Sequence, residues 1–398
     1  MSDTPQRIHG QPPSGMTPSG EAPSIWINAG EFSGDVHGAL LAEALLRTHP
    51  GIQLMGMGGD QMAAAGVDTL FRIESLSVMG ATEIVTHLPK ILRLLKDIKA
   101  AMRRLRPTAL VVIDAPDFSF RVISIARSLN IPVYYYISPK VWAWRQNRVH
   151  FIRENTRRLI SILPFEVTFY RDFNMEINYV GNPLVDLVDY PSIAHIMPQE
   201  GQIGILPGSR KNEITSLMPR FGAAARLMLA ANPALSFACI KAPNMDEAFV
   251  RAQWPADVPL HFLPLDGPGG RWAAMRRCEM LFAASGTVTL ESALAGVPTI
   301  VAYKLSRISY CIGRAVIKVP FISLPNLVLG EEVFPEHIQQ DSEPEKLAAK
   351  ALDWLHPERK HATFASIGGR LDTLRTMLGA PGSVNRAAGI ILDDLQKK

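Results

Sequence analysis

From residue 24 onward, short runs of apolar, β-branched and aromatic residues alternate with longer stretches in which apolar residues recur at helical spacing. The runs at 24–28, 53–56, 109–113, 133–137 and 159–163 read as strands, and 38–47 and 88–105 are amphipathic helices among the segments between them. Strands alternating with helices predict a parallel sheet covered on both faces. A second series follows, with strands at 202–206, 235–240, 280–283 and 299–303. Between the two series, "VDYPSIAHIMPQEGQ" (188–202) breaks the periodicity with proline and polar residues. The pattern predicts an α/β chain with two Rossmann-like, doubly wound domains, 24–190 and 200–345, facing each other across a cleft. Residues 346–398 read as helices, "PEKLAAKALDWL" most clearly. They either cross back to the first domain or swap into a second chain, which leaves a homodimer open.

Composition narrows this picture. A chain of 398 residues suits two domains, and 47% hydrophobic residues suffice for two cores. The balance of 41 basic against 37 acidic residues is too mild for a nucleic-acid partner, and no basic run carries interleaved aromatics. Cys239, Cys278 and Cys311 are too few and too scattered for a disulfide framework or a zinc site, which fits a reducing cytoplasm. No apolar run reaches the ~18 residues of a membrane span. Residues 1–23 have Pro, Gly, Ser and Thr but no apolar stretch; they read as a disordered tail, not a secretory signal. The expectation is a soluble or peripherally attached protein.

In open α/β sheets the ligand lies beyond the carboxyl ends of the strands, so the chemistry is sought in the loops that follow them. In "MLFAASGTVTLESALAGVPTIVAYK" (280–304), Ser285, Gly286 and Thr287 open a helix whose first amides and dipole suit a diphosphate. Glu291, one turn further in, is placed to accept hydrogen bonds from vicinal ribose hydroxyls; the plainer reading is an N-cap and a helical glutamate. In "IGILPGSRKNEI" (203–214), Gly208 and Ser209 turn the chain and set Arg210, a bidentate phosphate ligand, at the cleft mouth. Alone, Arg210 is equally well a solvated side chain. Two anion-binding turns on one sheet put the nucleotide in the second half.

The first half has different loops. "VVIDAPDFSF" ends a strand in Asp114, a candidate proton acceptor if its surroundings raise its pKa, or else the cap of an Asx turn; Asp117 is the weaker candidate. "YYISPKVWAWRQNR" sets Ser138, Trp142 and Trp144 beside Lys140, Arg145 and Arg148. Those tryptophans either pack or line the path of a phosphorylated, partly apolar acceptor. "AGEFSGDVHGA" looks like a glycine-rich phosphate turn, yet it carries two acids, Glu31 and Asp35, that would repel a diphosphate. Either the acids hold sugar hydroxyls or polarise a base, or they satisfy the turn's own amides. His37, His87 and His150 have no ligand spacing and no Asp-x-Asp pair occurs, so a metal-independent reaction is expected.

Taken in order, "AGEFSGDVHGA", "IDAPDF", "YYISPKVWAWR", "LPFE", "LPGSRKNEI", "ASGTVTLESALAGVPTIVAYK" and "ISLPNLVLGEEVFPEHIQQD" resemble bacterial lipid-A-disaccharide synthase over roughly residues 24–345. The resemblance implies a GT-B fold and an inverting transfer without a cofactor. UDP-2,3-diacylglucosamine is joined to 2,3-diacylglucosamine 1-phosphate, giving a β-1,6-linked disaccharide 1-phosphate and UDP. It implies that Arg210 holds the donor diphosphate, and that Ser285, Gly286, Thr287 and Glu291 form the UDP turn and ribose carboxylate. Asn326, Glu336 and Gln339 would close over the nucleotide side, and Asp114 would be the general base. Glu31, Ser33, Gly34 and Asp35 match the family's "AGExSGD" turn on the acceptor side. One departure is Asn182, where the family more often has His. Another UDP-sugar GT-B enzyme, such as a 2-epimerase, and a non-catalytic nucleotide-sugar or lipid binder are the competing readings. The pairing of "SPKVWAWR" with "LPN…PE…Q" disfavours the former, and the joint presence of Asp114, Arg210 and Glu291 the latter. Acylated substrates further imply an anionic membrane surface at the cytoplasmic face of the inner membrane. The segment 77–106 offers Val78, Met79, Ile84, Val85, Leu88, Ile91, Leu92 and Leu95 among Lys90, Arg93, Lys96, Arg103 and Arg104 for it, or packs on the sheet as an ordinary helix.

Overall fold

A computed structural model describes residues 23–77, 84–266, 269–305, 310, 313 and 317–397. The expected tail up to residue 22, Val78, Met79 and Cys311 lie outside the described residues, as do the side chains of Ile84, Val85, His87 and Leu88.

The first sheet contains β1 (Ser24–Ala29), β2 (Gln53–Gly58), β3 (Asp68–Arg72), β4 (Ala109–Ile113), β5 (Val133–Tyr136), β6 (Arg158–Ser161) and β7 (Asn178–Tyr179). The second contains β8 (Gln202–Leu206), β9 (Ser236–Cys239), β10 (His261–Phe262), β11 (Met280–Ala284), β12 (Thr299–Tyr303) and β13 (Glu336–Ile338). Their orders are β3-β2-β1-β4-β5-β6-β7 and β10-β9-β8-β11-β12-β13, and the pairings are parallel throughout. Central strands such as ALVVI and MLFAA are buried along their whole length, as a sheet with helices on both faces requires. β3, β7, β10 and β13 are additions to the expected strands. They are short or carry polar residues, so neither an apolar run nor clean alternation marks them.

The two cores meet at the foot of the cleft. Trp142, Leu163 and Leu184, which precede the linker, are packed into the second domain's core, and Ile162 and Phe169 touch both cores. The final helix, Ser383–Gln396, crosses back within the same chain: Val384, Ala387, Ala388, Ile391 and Leu392 join the first domain's core. Asp186, in the helix Pro183–Leu187 just before the linker, accepts hydrogen bonds from the Gly382 amide and from Ser383 N and Oγ, at 3.1 and 2.6 Å, satisfying the start of the final helix.

Polar contacts pin its other end. The buried Asp394 carboxylate accepts from Arg157, from Arg158 at 3.2 Å and from the Tyr134 hydroxyl at 3.1 Å. Burial alone would raise its pKa, but these donors outweigh it and hold the carboxyl at about 2. A depressed carboxylate pKa contributes stability above its unfolded value of 3.8 that is lost as pH falls through the folded value. Discounted for the half-exposed arginines, the contribution is on the order of 1–2 kcal/mol. Asp394→Asn is therefore expected to lower the urea midpoint of the first domain at neutral pH. The gap to the wild type should narrow as pH falls from about 4 toward 2, and a gap independent of pH would contradict this account.

Candidate active site

In a doubly wound sheet the crevice opens where the strand order reverses, here between β1 and β4 and between β8 and β11. The loops leaving those four strands line a single cleft of about 360 Å³ between the domains. Glu31, Ser33, Gly34, Asp114 and Ser138 form one wall; Gly208, Ser209, Arg210, Ser285, Gly286, Thr287 and Glu291 form the other.

On the first wall, Asp114 and Ala115 both adopt the left-handed region, each with φ 44°. Neither is glycine, so the turn stores about 1–2 kcal/mol of strain per residue. It is held because Ser119 Oγ and Tyr135 OH donate to the Asp114 carbonyl at 2.8 and 3.0 Å. Gly30 makes room: a Cβ there would lie 2.4 Å from the Ala115 Cβ. The carboxyl itself is pushed up to about 6, first by burial and then by the nearby Glu31, against the opposing pull of Lys140 and the Ala115 amide. Near neutral pH it is a carboxylate with an unusually strong proton affinity, as a general base requires.

The two acids of the early turn have separate fates. Glu31 is exposed to the cleft, where its charge reaches Asp114 and, across the gap, Arg210. Asp35 is buried and accepts from the amides of Gly59, Gln61 and Met62 at 2.6, 3.0 and 3.1 Å. Of the two readings of the acidic turn, Asp35 follows the one in which it satisfies amides, though those of the helix Asp60–Ala64 and not of its own turn.

On the second wall, Gly286 precedes the helix Thr287–Leu294 with φ 156° and ψ −165°, a conformation open to glycine. No side chain caps this helix, so its first amides face the cleft with the positive end of the dipole. Glu291 is buried and its Oε2 lies 2.9 Å from Arg271 without hydrogen-bond alignment, leaving that oxygen unsatisfied. Burial raises its pKa and Arg271 opposes the rise. Arg210 starts the helix Lys211–Ala231; its guanidinium is exposed and donates to Glu213 at 2.9 Å.

Six expected site residues do not line this cleft. Besides Asp35, they are Trp142, Trp144, Asn326, Glu336 and Gln339. Trp142 is buried and donates Nε1 to Glu166 at 2.9 Å. Trp144 stacks under the Arg145 guanidinium, 4.3 Å from the ring centroid. Asn326 accepts from the amides of Val333 and Phe334 and donates to Glu336. Glu336 accepts from the amides of Ile322 and Ser323, and Gln339 clasps Leu305 N and O. These last three brace the wall behind Ser285, whose hydroxyl donates to the Ile322 carbonyl. Asp117 pairs with Arg145 and Arg148. Among the described residues no group of three His, Cys, Asp or Glu is placed to hold a metal.

The cleft also contains Glu166, which the sequence does not single out, together with His37 and Asn182. Glu166 is fully buried; burial drives its pKa to about 7 despite hydrogen bonds from Ser161, Trp142 and Ser138. An acid in a helix's first turn is ordinary in sequence, and nothing there tells that it is buried. His37 lines the cleft with Nδ1 unpartnered, and burial lowers its pKa to about 4, so it is neutral. Asn182 caps the helix Pro183–Leu187 by accepting from Leu184 N, and donates to the Ile162 carbonyl.

The family model for lipid-A-disaccharide synthetase matches residues 25–370. The lipid-A-disaccharide synthase of Syntrophus aciditrophicus is 38% identical over 387 residues, covering 94% of this chain and 98% of its own. Among solved structures, the calicheamicin glycosyltransferase CalG4 superposes with a TM-score of 0.61 at 15% identity, over 94% of this chain and 98% of its own. A putative UDP-N-acetylglucosamine 2-epimerase from Listeria monocytogenes gives 0.60 at 14%, over 95% and 98%. At these identities the two structures show the fold alone, which is GT-B.

The charge arrangement is open to a direct check. Removing the negative charge at position 31 is expected to lower the Asp114 pKa from about 6 toward the ordinary carboxylate range. Carboxyl-carbon NMR of Glu31→Gln and wild-type protein reads this shift; an unmoved titration would mean that Glu31 does not act on Asp114.

Proposed function

The chain belongs to the lipid-A-disaccharide synthetase family, and from that premise we propose a division of labour across the cleft. The protein is a glycosyltransferase of lipid A disaccharide synthesis. Its donor is UDP-2,3-diacylglucosamine and its acceptor 2,3-diacylglucosamine 1-phosphate. The observation that carries the proposal is one cleft with a desolvated carboxylate on one wall and an uncapped helix start beside an arginine on the other.

Asp114 takes the proton of the acceptor's 6-hydroxyl as that oxygen attacks the donor's anomeric carbon in line. The bond from that carbon to the UDP oxygen breaks, inverting the centre, and the electron pair leaves on the diphosphate. Arg210 and the amides of Thr287 and Val288 stabilise that charge. Glu291, held through Oε2 by Arg271, receives the ribose hydroxyls. Asn326, Glu336 and Gln339 support the donor wall. Because this wall supplies positive charge from protein groups alone, the reaction needs neither metal nor cofactor.

UDP release by the purified protein in detergent, with each substrate alone and both together, tests the assignment. Asp114→Ala should reduce kcat by roughly 10²–10⁴ and Arg210→Ala by roughly 10²–10³. Glu291→Gln should mainly raise the donor KM, by about tenfold. EDTA should leave the rate intact. Release from the donor alone, or full activity without Asp114, would remove the proposed chemistry.

A cleft of this size holds sugar and nucleotide headgroups, so the acyl chains must emerge from it. No helix among the described residues is long and apolar enough to cross a membrane. The helix Ile84–Leu105 instead exposes Leu92 between exposed Arg93, Lys90 and Lys96. We place the protein on the cytoplasmic face of the inner membrane through this helix. Flotation with anionic vesicles should fall with added salt and with Leu92→Asp. Equal flotation with zwitterionic vesicles would dismiss the basic helix as the contact.

A further inference from the structure

Three cations line the cleft: Lys140, Arg210 and Arg271. Arg210 is paired with Glu213 and Arg271 with Glu291, both on the donor wall. Lys140 belongs to the opposite wall. Its ammonium makes no hydrogen bond or ion pair among the described residues, although the positive charge is felt by Asp114.

The root of this lysine is rigid. It follows β5, the strand beside the one that ends in Asp114. Ile137 is held at φ 64° with its amide on the Ile160 carbonyl at 2.9 Å. Ser138 Oγ meets Tyr170 OH at 2.8 Å, Val141 is buried, and Trp142 is tied to Glu166. A cation on an over-determined loop, without an internal partner, is free to meet an anion on the acceptor wall.

Building on the proposed substrates, we infer that Lys140 receives the anomeric phosphate of the acceptor sugar. The argument is one of geometry and charge. A hexose with its 6-hydroxyl at Asp114 sends its anomeric substituent to the other end of the ring, along the same wall. The donor diphosphate already occupies the opposite wall, where Arg210 and the helix start stand. A phosphomonoester left without a cation beside Glu31 and Asp114 would be repelled. Lys140 neutralises it there and selects phosphorylated over unphosphorylated sugar.

The test compares acceptor with and without its phosphate, 2,3-diacylglucosamine 1-phosphate and 2,3-diacylglucosamine, in wild type, Lys140→Ala and Lys140→Arg. In the wild type kcat/KM should favour the phosphorylated acceptor. In Lys140→Ala that preference should shrink about tenfold or more, through KM for acceptor and not for donor, and Lys140→Arg should restore most of it. An unmoved preference overturns the inference, including the case where both acceptors lose equally because Lys140 serves only the charge of Asp114. Calorimetric binding of the phosphorylated acceptor separates this from failure of the proposed reaction. Weaker binding in Lys140→Ala supports the phosphate contact even without turnover, and equal binding, or none to the wild type, refutes it.

Discussion

The cleft is organised around one strained turn. Asp114 and Ala115 leave β4 in consecutive left-handed conformations without glycine, a state that persists only if the surroundings over-determine it. Ser119 and Tyr135 supply that determination through the Asp114 carbonyl, and Gly30 supplies it sterically by giving the Ala115 methyl a place to sit. Gly30 follows β1 and Asp114 follows β4, the two strands at the switch point. The pairing of β1 with β4, which sets Ala29 beside Ile113, is therefore what brings the loops into contact. The carboxylate is aimed by the sheet.

From that turn follows the partition of charge. The first wall sets Glu31 and Asp114 beside a single lysine, and the second has two arginines, each paired with a glutamate, and a helix start. Glu31 connects the two, raising the proton affinity of Asp114 and attracting Arg210 across the gap. In the proposed reaction an acceptor hydroxyl and a diphosphate would thereby be sorted to different walls. The acidic turn that looks like a nucleotide loop in sequence is thus part of the sorting. Its glycines allow close packing, as at Gly34 against Ala29, with no phosphate to cradle.

Much of this was legible in the chain. Central strands, the two-domain division and the loops carrying Asp114, Arg210 and Ser285 follow from hydrophobic runs and the residues that end them. The parts that were not legible share a cause, which is contact at long sequence separation. Asp35 is committed to amides 24 to 27 residues away, a fact that depends on β2 lying beside β1. Asn326 and Glu336 are expected as ligand residues only because the family resemblance implies it. Only the fold shows their donors and acceptors spent on backbone 7 to 14 residues off. Trp142 and Glu166 look unrelated in sequence and form one buried pair. Buried polar groups must find partners, but sequence alone does not say which partners.

The two arginines of the donor wall differ in how they would receive the proposed diphosphate. Arg210 and Glu213 form an exposed pair, Arg210's side chain being 75% accessible. Such a pair is worth about 0–1 kcal/mol, so a multiply charged, bidentate ligand can draw the guanidinium away from it. Glu213 loses little, because the same carboxylate still accepts from the Ser209 amide at 3.3 Å. Arg271 and Glu291 are largely enclosed. Separating them would strand a buried charge at a cost of several kcal/mol. Arg271 therefore stays where it is and fixes Glu291 through Oε2. In the proposed reaction one arginine would move onto the diphosphate and the other would hold Glu291 still, and the difference between them is burial.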